Sequence, residues 1–276
     1  MKNYYCLVAG LPDLTLDDGK LNFTLEQFKE EIYPELSTND KKIIDLFFLD
    51  IDNKNLISLL NDKDKPIVNI GNFTSDELLS LISSIKDGEE VDKKFPSYLI
   101  SFLKEYLFGD DMRSCEDSLS SHFYAYAMNN RNKFISNWYE FNLNTNNILS
   151  AFQARKYHMN VASVIVGHND ISEKLRTSNA RDFGVSELLS YFDNLQRIND
   201  IESLVEREKK IDQMKWEWMD DAIFFNYFSI ERIFAFLVKI DMINRWSSLD
   251  REKGKELFKK LIDSLKDDVS IPQEFR

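Results

Sequence analysis

The sequence predicts an all-α, multi-helix protein. Only 8 Gly and 5 Pro occur among 276 residues, so few positions can form the tight turns that many short strands require. Apolar residues recur at intervals of three and four, as in Leu99, Phe102 and Leu103. Residues that cap helices, such as Ser37 and Thr74, precede several of these segments. We therefore expect one all-α unit over residues 1–276.

The first half of the chain contains four predicted helices. Each is an amphipathic segment that follows a capping residue or a proline and ends near a Gly, a Pro or a polar turn. These segments are residues 24–32, 37–60, 74–85 and 96–109, and Pro34 should end the first of them. Residues 86–94 are highly charged and carry almost no apolar side chain, so the sequence predicts a lobe boundary near residues 86–95.

The second half is richer in aromatic residues. Helical periodicity extends over residues 122–141 and 145–160, whereas the β-branched residues 161–166 fit either a helix or a strand. A long helical run over residues 186–219 contains a candidate break at Asn199-Asp200. Within it the charged residues 206–210 are predicted to form a solvated turn.

The most apolar segment lies near the end of the chain. Residues 222–246 are apolar on most of a helical circumference, so we expect one helix here that dominates the core. Asp220-Asp221 would stand at its start, where negative charge complements the helix dipole. A last amphipathic helix is predicted over residues 251–265, and no internal sequence repeat is evident.

Charge and composition limit the classes of partner. Lys and Arg total 35 against 47 Asp and Glu, giving a net charge of -12. Nucleic acid is therefore not an expected partner, because phosphate binding needs a concentrated basic surface. The two cysteines, Cys6 and Cys115, form neither a disulfide framework nor a zinc site, so a reducing compartment is predicted.

The sequence predicts no signal peptide and no membrane span. The short apolar run from Tyr4 to Leu11 stops at Pro12 without a pattern of small residues for cleavage. The apolar residues 222–243 are interrupted by charged side chains, including Glu231, which would be costly to bury in hydrocarbon. We expect a cytoplasmic protein.

No catalytic, metal-binding or cofactor-binding residue is predicted. Glycine-rich phosphate loops are absent from the sequence. His122, His158 and His168 are at least ten residues apart, whereas a helical metal site needs pairs three or four residues apart. An all-α metal-dependent phosphohydrolase is the enzyme alternative, although the adjacent His-Asp pair of such enzymes does not occur. The expectation is a noncatalytic protein without a cofactor.

Arg155 departs from the local apolar pattern. It follows Phe152 by three residues and Ile148 by seven, so its guanidinium lies on or beside an apolar stripe. If the charge is buried, it needs a carboxylate or several carbonyl oxygens as partners. The alternative is an arginine that reaches solvent at the edge of the stripe. Arg155 is therefore the candidate interface or buried-charge position.

The same segment carries a resemblance to a known family. Residues 138–149, Trp-Tyr-Glu-Phe-Asn-Leu-Asn-Thr-Asn-Asn-Ile-Leu, followed by Ala154-Arg155-Lys156, resemble the signature of the C-type (eukaryotic d-type) subunits of V-type ATPases and ATP synthases. In that family an acidic residue, a Leu and an Asn-Ile pair lead into a helix with Arg-Ala-Lys or a close variant, whereas this chain has Ala-Arg-Lys. Residues 230–239 resemble that family's C-terminal helix, although Ile240-Asp241 replace its usual Glu. Residues 4–13 resemble an uncharacterised bacterial family that is associated with V-type ATPase subunits.

This resemblance implies a specific role. The C-type subunits are noncatalytic, funnel-like, all-α adaptors that cap the membrane rotor ring and hold the central shaft, coupling ATP hydrolysis to ion transport. The expected partners are accordingly the central shaft and the rotor ring, and the expected location is cytoplasmic, peripheral to the inner membrane. Two alternatives remain open: a free-standing helical interaction scaffold and the metal-dependent phosphohydrolase.

Overall fold

The computed structural model describes residues 3–16, 23–109 and 114–248. Over these residues the chain is all-helical, which confirms the predicted fold class. The predicted helix over residues 251–265 lies outside the described part. The α-helices are α1 Tyr5–Ala9, α2 Leu25–Gln27, α3 Thr38–Asn61, α4 Ser75–Asp87, α5 Ser97–Phe108, α6 Cys115–Met128, α7 Lys133–Lys156, α8 Asp170–Thr177, α9 Phe192–Asn199, α10 Leu204–Ile223 and α11 Ile230–Ser248.

Local sequence explains where the helices of the first half begin and end. Ser37 and Thr74 accept hydrogen bonds from the backbone N–H groups of Asp40 and Glu77, and so cap α3 and α4 as predicted. Gly88 ends α4 in a left-handed conformation with φ 70°. After α2 the chain continues as a π-helix, Phe28–Ile32, and a 3-10 helix, Tyr33–Glu35, which contains Pro34.

Two helices, α7 and α11, form the centre of the core. Helix α7 packs against α6, α8, α9 and α10, whereas α11 packs against α3 and α10. Aromatic rings join α7 to α10 and to α11: Phe141 stacks on Trp218 of α10 at 5.1 Å, and Phe134 contacts Phe234 of α11 edge to face. One continuous cluster of buried apolar side chains includes residues from α1 to α11.

Two predictions of continuous helices are wrong. The periodic residues 122–141 are divided between α6 and α7 by a turn at residues 129–132, where Asn132 caps α7 through its side chain. The predicted helix over residues 222–246 is interrupted between Ile223 and Ile230. The interruption allows α11 to turn back and pack against α10, a long-range contact that periodicity does not encode.

The break predicted at Asn199-Asp200 is confirmed, but the solvated turn at residues 206–210 is not. These charged residues belong to the first turns of α10, which Ser203 caps by accepting a hydrogen bond from the backbone N–H of Glu206. Most of their side chains are exposed, so these charged residues form helical backbone while their charges remain in water. The prediction that Asp220-Asp221 begins a helix is also wrong, because both residues lie in the last turn of α10.

Residues 161–166, which fit either a helix or a strand by sequence, form a short helix followed by an extended segment. Val161–Val164 is a 3-10 helix, and the extended residues after it bond to side chains rather than to a strand. The amide nitrogen of Asn147 in α7 donates to the carbonyl oxygen of Val166 at 2.7 Å, and its oxygen accepts from the Val166 N–H at 3.0 Å. Asn147 therefore clamps one residue's backbone from both sides.

The same clamp occurs at α3, a helix of 24 residues like α7. The side-chain amide of Asn55 donates to the carbonyl oxygen of Val68 at 2.9 Å and accepts from its N–H at 3.0 Å. In both places the clamped segment leads into a shorter helix, α4 or α8. The fold thus repeats a structural device that the sequence does not reveal.

The predicted lobe boundary is a loop that packs onto the neighbouring helices. Phe95 is buried and its ring lies 4.9 Å from that of Phe73, while Lys94 pairs with Glu77 of α4 at 2.7 Å. In the described ranges, no helix has the length and apolar character needed to cross a bilayer.

Candidate functional sites

The segment between α10 and α11 exposes a cluster of aromatic rings. Phe225 is 92% exposed and Phe224 72%, and Tyr5 of α1 lies with its ring 4.7 Å from that of Phe228. A hydrogen bond from the Tyr4 N–H to the Phe228 carbonyl oxygen fixes this loop to the start of the chain. We define the aromatic cap as Tyr5, Phe224, Phe225, Tyr227 and Phe228. Contiguous exposed apolar surface of this kind marks interaction sites in folded proteins.

A small pocket adjoins the aromatic cap. Its volume is about 110 Å³, and its walls include Ile223, Arg232 and Lys239. The Arg232 guanidinium lies 5.2 Å from the centre of the Tyr227 ring, so the pocket and the cap share an edge. Lys239 is buried and pairs with Asp220 at 2.5 Å. Across the described ranges, Arg232 forms no ion pair with a carboxylate.

A polar cleft lies elsewhere, between α3, α6, α7, α10 and α11. It consists of two adjoining cavities of about 620 and 350 Å³, which share Asp50, Lys54 and Tyr124. Asp50 and Lys54 pair with each other at 2.6 Å. At the far end Asp212 accepts hydrogen bonds from Arg245 and from the Trp246 indole, the latter at 2.7 Å. These four charges of the cleft are therefore already paired.

Lys215 differs from Lys54 and Arg245, two other cations that line the cleft. It is half-buried, and among the described residues no hydrogen bond or ion pair is formed by its ammonium group. Burial lowers the pKa of Lys215, although Asp212 and Asp50 act in the opposite direction. Burial also raises the pKa of Tyr124 to about 12. Perturbed ionisable groups in a cleft are typical of functional sites but also occur in structural ion-pair networks.

Arg155 joins the end of α7 to the loop between α8 and α9. Its guanidinium donates to the carbonyl oxygens of Ala180 at 2.7 Å, Arg181 at 3.0 Å and Ser178 at 3.0 Å. It also lies 3.5 Å from the centre of the buried Phe183 ring. The side chain is half-buried, with carbonyl oxygens as partners. Burial lowers the pKa of the guanidinium.

These contacts predict a structural contribution from Arg155. We expect Arg155→Ala to lower the free energy of unfolding by about 1–2 kcal/mol, because three charge-assisted hydrogen bonds and a cation–π contact are lost in a half-exposed position. Urea unfolding measures the change. Lys156→Ala, at the exposed neighbouring position of the same turn, is the matched control. Equal stability of the two variants would contradict the prediction.

The three histidines remain apart. His122 lies 3.3 Å from Glu105, and the exposed His168 lies 3.2 Å from Glu173. His158 follows the end of α7 with a positive φ of 56°. Within the described ranges no three His, Cys, Asp or Glu side chains form a group that could hold a metal ion.

Sequence reasoning missed both the aromatic cap and the polar cleft. The apolar periodicity places the cap in a helix, although Asn226, between two pairs of aromatic residues, is a signal for a turn. The cleft collects residues from five helices, and these residues form no linear motif. Arg155, the position that the sequence predicts, lies in neither site.

Comparison with known proteins gives one match. A family model described as "Protein of unknown function (DUF2764)" matches residues 1–269. No curated protein and no solved structure is detectably similar to the chain. Because the match extends over nearly the whole sequence, the chain belongs to the DUF2764 family.

Proposed function

We propose that this protein is a noncatalytic helical docking subunit that binds a protein partner through the aromatic cap. The single observation that carries the proposal is the exposure of these rings, with Phe225 92% exposed and Phe224 72%. Full burial of a phenylalanine side chain stabilises a complex by about 1.5–3 kcal/mol, so leaving several in water is costly unless a partner covers them.

The position of the cap suits docking. Hydrogen bonding to the Tyr4 N–H and ring contacts with Tyr5 hold the loop against the folded body. The loop also connects α10 to α11, whose residues are mostly buried. A surface that is already ordered loses less conformational entropy on binding.

The proposed partners are the central shaft and the rotor ring of a V-type ATPase, with a location peripheral to the inner membrane. The support is the resemblance of two segments, residues 138–149 with 154–157 and residues 230–239, to the C-type subunits of these enzymes. The two segments lie almost entirely in α7 and α11, the central helices of the fold, so the resemblance concerns the framework that presents the cap. Helix α11 begins directly after the cap, at Ile230.

Binding of purified protein to purified central shaft and to purified rotor ring tests this proposal. We expect Phe224→Ser combined with Phe225→Ser to weaken binding at least tenfold, because about 1.4 kcal/mol corresponds to a factor of ten in affinity. The matched control is Phe108→Ser, since Phe108 is 66% exposed on α5, outside the cap. Circular dichroism and thermal unfolding should show intact folding for all variants.

Two results would reject the proposal. If neither the shaft nor the ring binds the wild-type protein, the ATPase partners are wrong. If a partner binds the cap variant as tightly as wild type, the cap is not the docking surface. A free-standing interaction scaffold would bind a different protein through the same rings. In that case the affinity for that protein should fall when Phe225 is replaced by Ser.

The polar cleft supports a second candidate, catalysis by a helical hydrolase. The observation in its favour is the half-buried Lys215, whose pKa is lowered and which lines the same cavity as Tyr124. Elemental analysis of purified protein and hydrolysis of p-nitrophenyl phosphate test a metal-dependent phosphohydrolase. Stoichiometric metal together with turnover that Lys215→Met abolishes would favour the enzyme over the docking subunit.

A further inference from the structure

The pocket beside the aromatic cap contains a cation, Arg232, that pairs with no carboxylate among the residues that the structure describes. Arg232 is half-buried, and its guanidinium carbon lies over the Tyr227 ring, 5.2 Å from the ring centre. Asp13 lines the same pocket, yet no ion pair joins it to Arg232. Asp220 is engaged with Lys239 at 2.5 Å. The guanidinium thus retains donors that can bind a carboxylate in a bidentate manner.

The size and position of the pocket suit one side chain. About 110 Å³ accommodates a short acidic side chain but no folded element. Its walls combine the apolar Ala235 and Phe236 with the charged groups, so a carboxylate that enters loses water while it gains a fixed cation. Interfaces commonly place such an anchor beside aromatic residues that exclude water from it.

We propose that the protein partner that covers the aromatic cap inserts an acidic side chain into this pocket, where its carboxylate pairs with the Arg232 guanidinium. The inference rests on the proposed docking role of the cap and adds the chemistry of the partner. The surface of the partner is then an apolar patch with one Asp or Glu, whose negative charge complements the positive charge of Arg232. The aromatic cap then supplies affinity, and the ion pair fixes which apolar surface is accepted.

Synthetic peptides test the anchor without the ATPase subunits. The probe is a fluorescein-labelled peptide of about 12 residues with a central Asp flanked by Leu and Phe, and two matched peptides carry Asn or Lys at that position. We expect wild-type protein to bind the Asp peptide at least tenfold more tightly than either matched peptide, as measured by fluorescence anisotropy. Arg232→Gln should remove this preference, and Arg232→Lys should retain part of it because the charge remains.

Further variants separate the anchor from the cap. Phe225→Ser should weaken binding of all three peptides while keeping the preference for Asp. Asp13→Asn removes a competing carboxylate and should increase that preference. Arg131→Gln, which replaces an exposed arginine outside the pocket, is the control and should leave the preference unchanged. Thermal unfolding of each variant confirms that the fold is intact.

The outcomes distinguish the two proposals. Equal binding of the Asp and Asn peptides, or no binding of any peptide, overturns the acidic anchor even if the shaft or ring binds through the cap. A preference for Asp that depends on Arg232 supports the anchor even if the shaft and ring fail to bind. If Arg232→Gln abolishes self-association, the pocket binds a second copy of this chain. If it abolishes sedimentation with phosphatidylcholine vesicles, the pocket binds lipid. Either result rejects a different protein as the partner.

Discussion

Asn147→Ala is expected to lower the free energy of unfolding by about 3 kcal/mol, because buried backbone groups that lose their partners cost about 1–3 kcal/mol each. Asn147 is 2% exposed and binds the N–H and carbonyl oxygen of Val166. Its amide also donates to the Ser172 hydroxyl at 3.0 Å. Removal would create a cavity, leave the Val166 N–H without this bond, and leave the Ser172 hydroxyl at 3.1 Å as the remaining described donor to the Val166 carbonyl oxygen. Urea unfolding measures the loss.

The adjacent residue supplies the control for this prediction. Asn146 is exposed on the same helix, and its described bond to the Tyr124 hydroxyl is long, at 3.4 Å. Asn146→Ala should therefore change stability by no more than about 0.5 kcal/mol, as surface substitutions usually do. Equal losses at the two positions would show that the clamp on Val166 contributes little.

The second large effect concerns Asp52 and pH. Asp52 is fully buried and accepts hydrogen bonds from the N–H of Asn72 at 2.9 Å and of Phe73 at 3.2 Å. Burial raises the pKa of Asp52 to about 6, even though the backbone hydrogen bonds and the charge of Lys29 lower it. Gly71 makes this approach feasible, since a Cβ at Gly71 would lie 2.1 Å from the Asp52 carboxylate oxygen.

The sign of the pH effect follows from this shift. The pKa is higher in the folded state than the ordinary 3.8, so between about pH 4 and 6 the folded protein binds more protons than the unfolded chain. Wild-type protein should therefore lose stability relative to Asp52→Asn as the pH rises through this window. The loss is at most about 3 kcal/mol, because each tenfold change in proton affinity between the folded and unfolded states corresponds to about 1.4 kcal/mol. Urea unfolding at several pH values measures the difference.

The control is another carboxylate of α3. Asp50→Asn removes the same charge from an exposed side chain that pairs with Lys54. Wild-type protein should not lose stability relative to Asp50→Asn as the pH rises through this window. The prediction fails if the stability difference between wild-type protein and Asp52→Asn is constant from about pH 4 to 7, the range that spans both pKa values. It also fails if that difference changes in the opposite direction.

The burial of certain polar residues cannot be predicted from the sequence. Asn55 and Asn147 lie within strongly periodic helices, and nothing in their neighbourhood distinguishes them from the exposed Asn146. Their partners, Val68 and Val166, are 13 and 19 residues away along the chain. A pattern with a period of about 3.6 residues reports which face of a helix is apolar, but not which loop packs on it.

The sequence by itself determined the all-α class, the caps of α3 and α4, and the unusual environment of Arg155. These features depend on neighbouring residues, whose spacing sets helix periodicity and capping. Tertiary structure alone decided that the most apolar segment breaks at Phe224 and exposes its rings, and that five helices enclose a polar cleft. It also decided that Arg232 lies beside the aromatic cap without a carboxylate partner in the described part of the chain. Each of these features depends on contacts between residues that are distant in the chain. The break at Phe224, for example, forms because the packing of α11 against α10 outweighs the helical hydrogen bonds that a continuous helix would have formed.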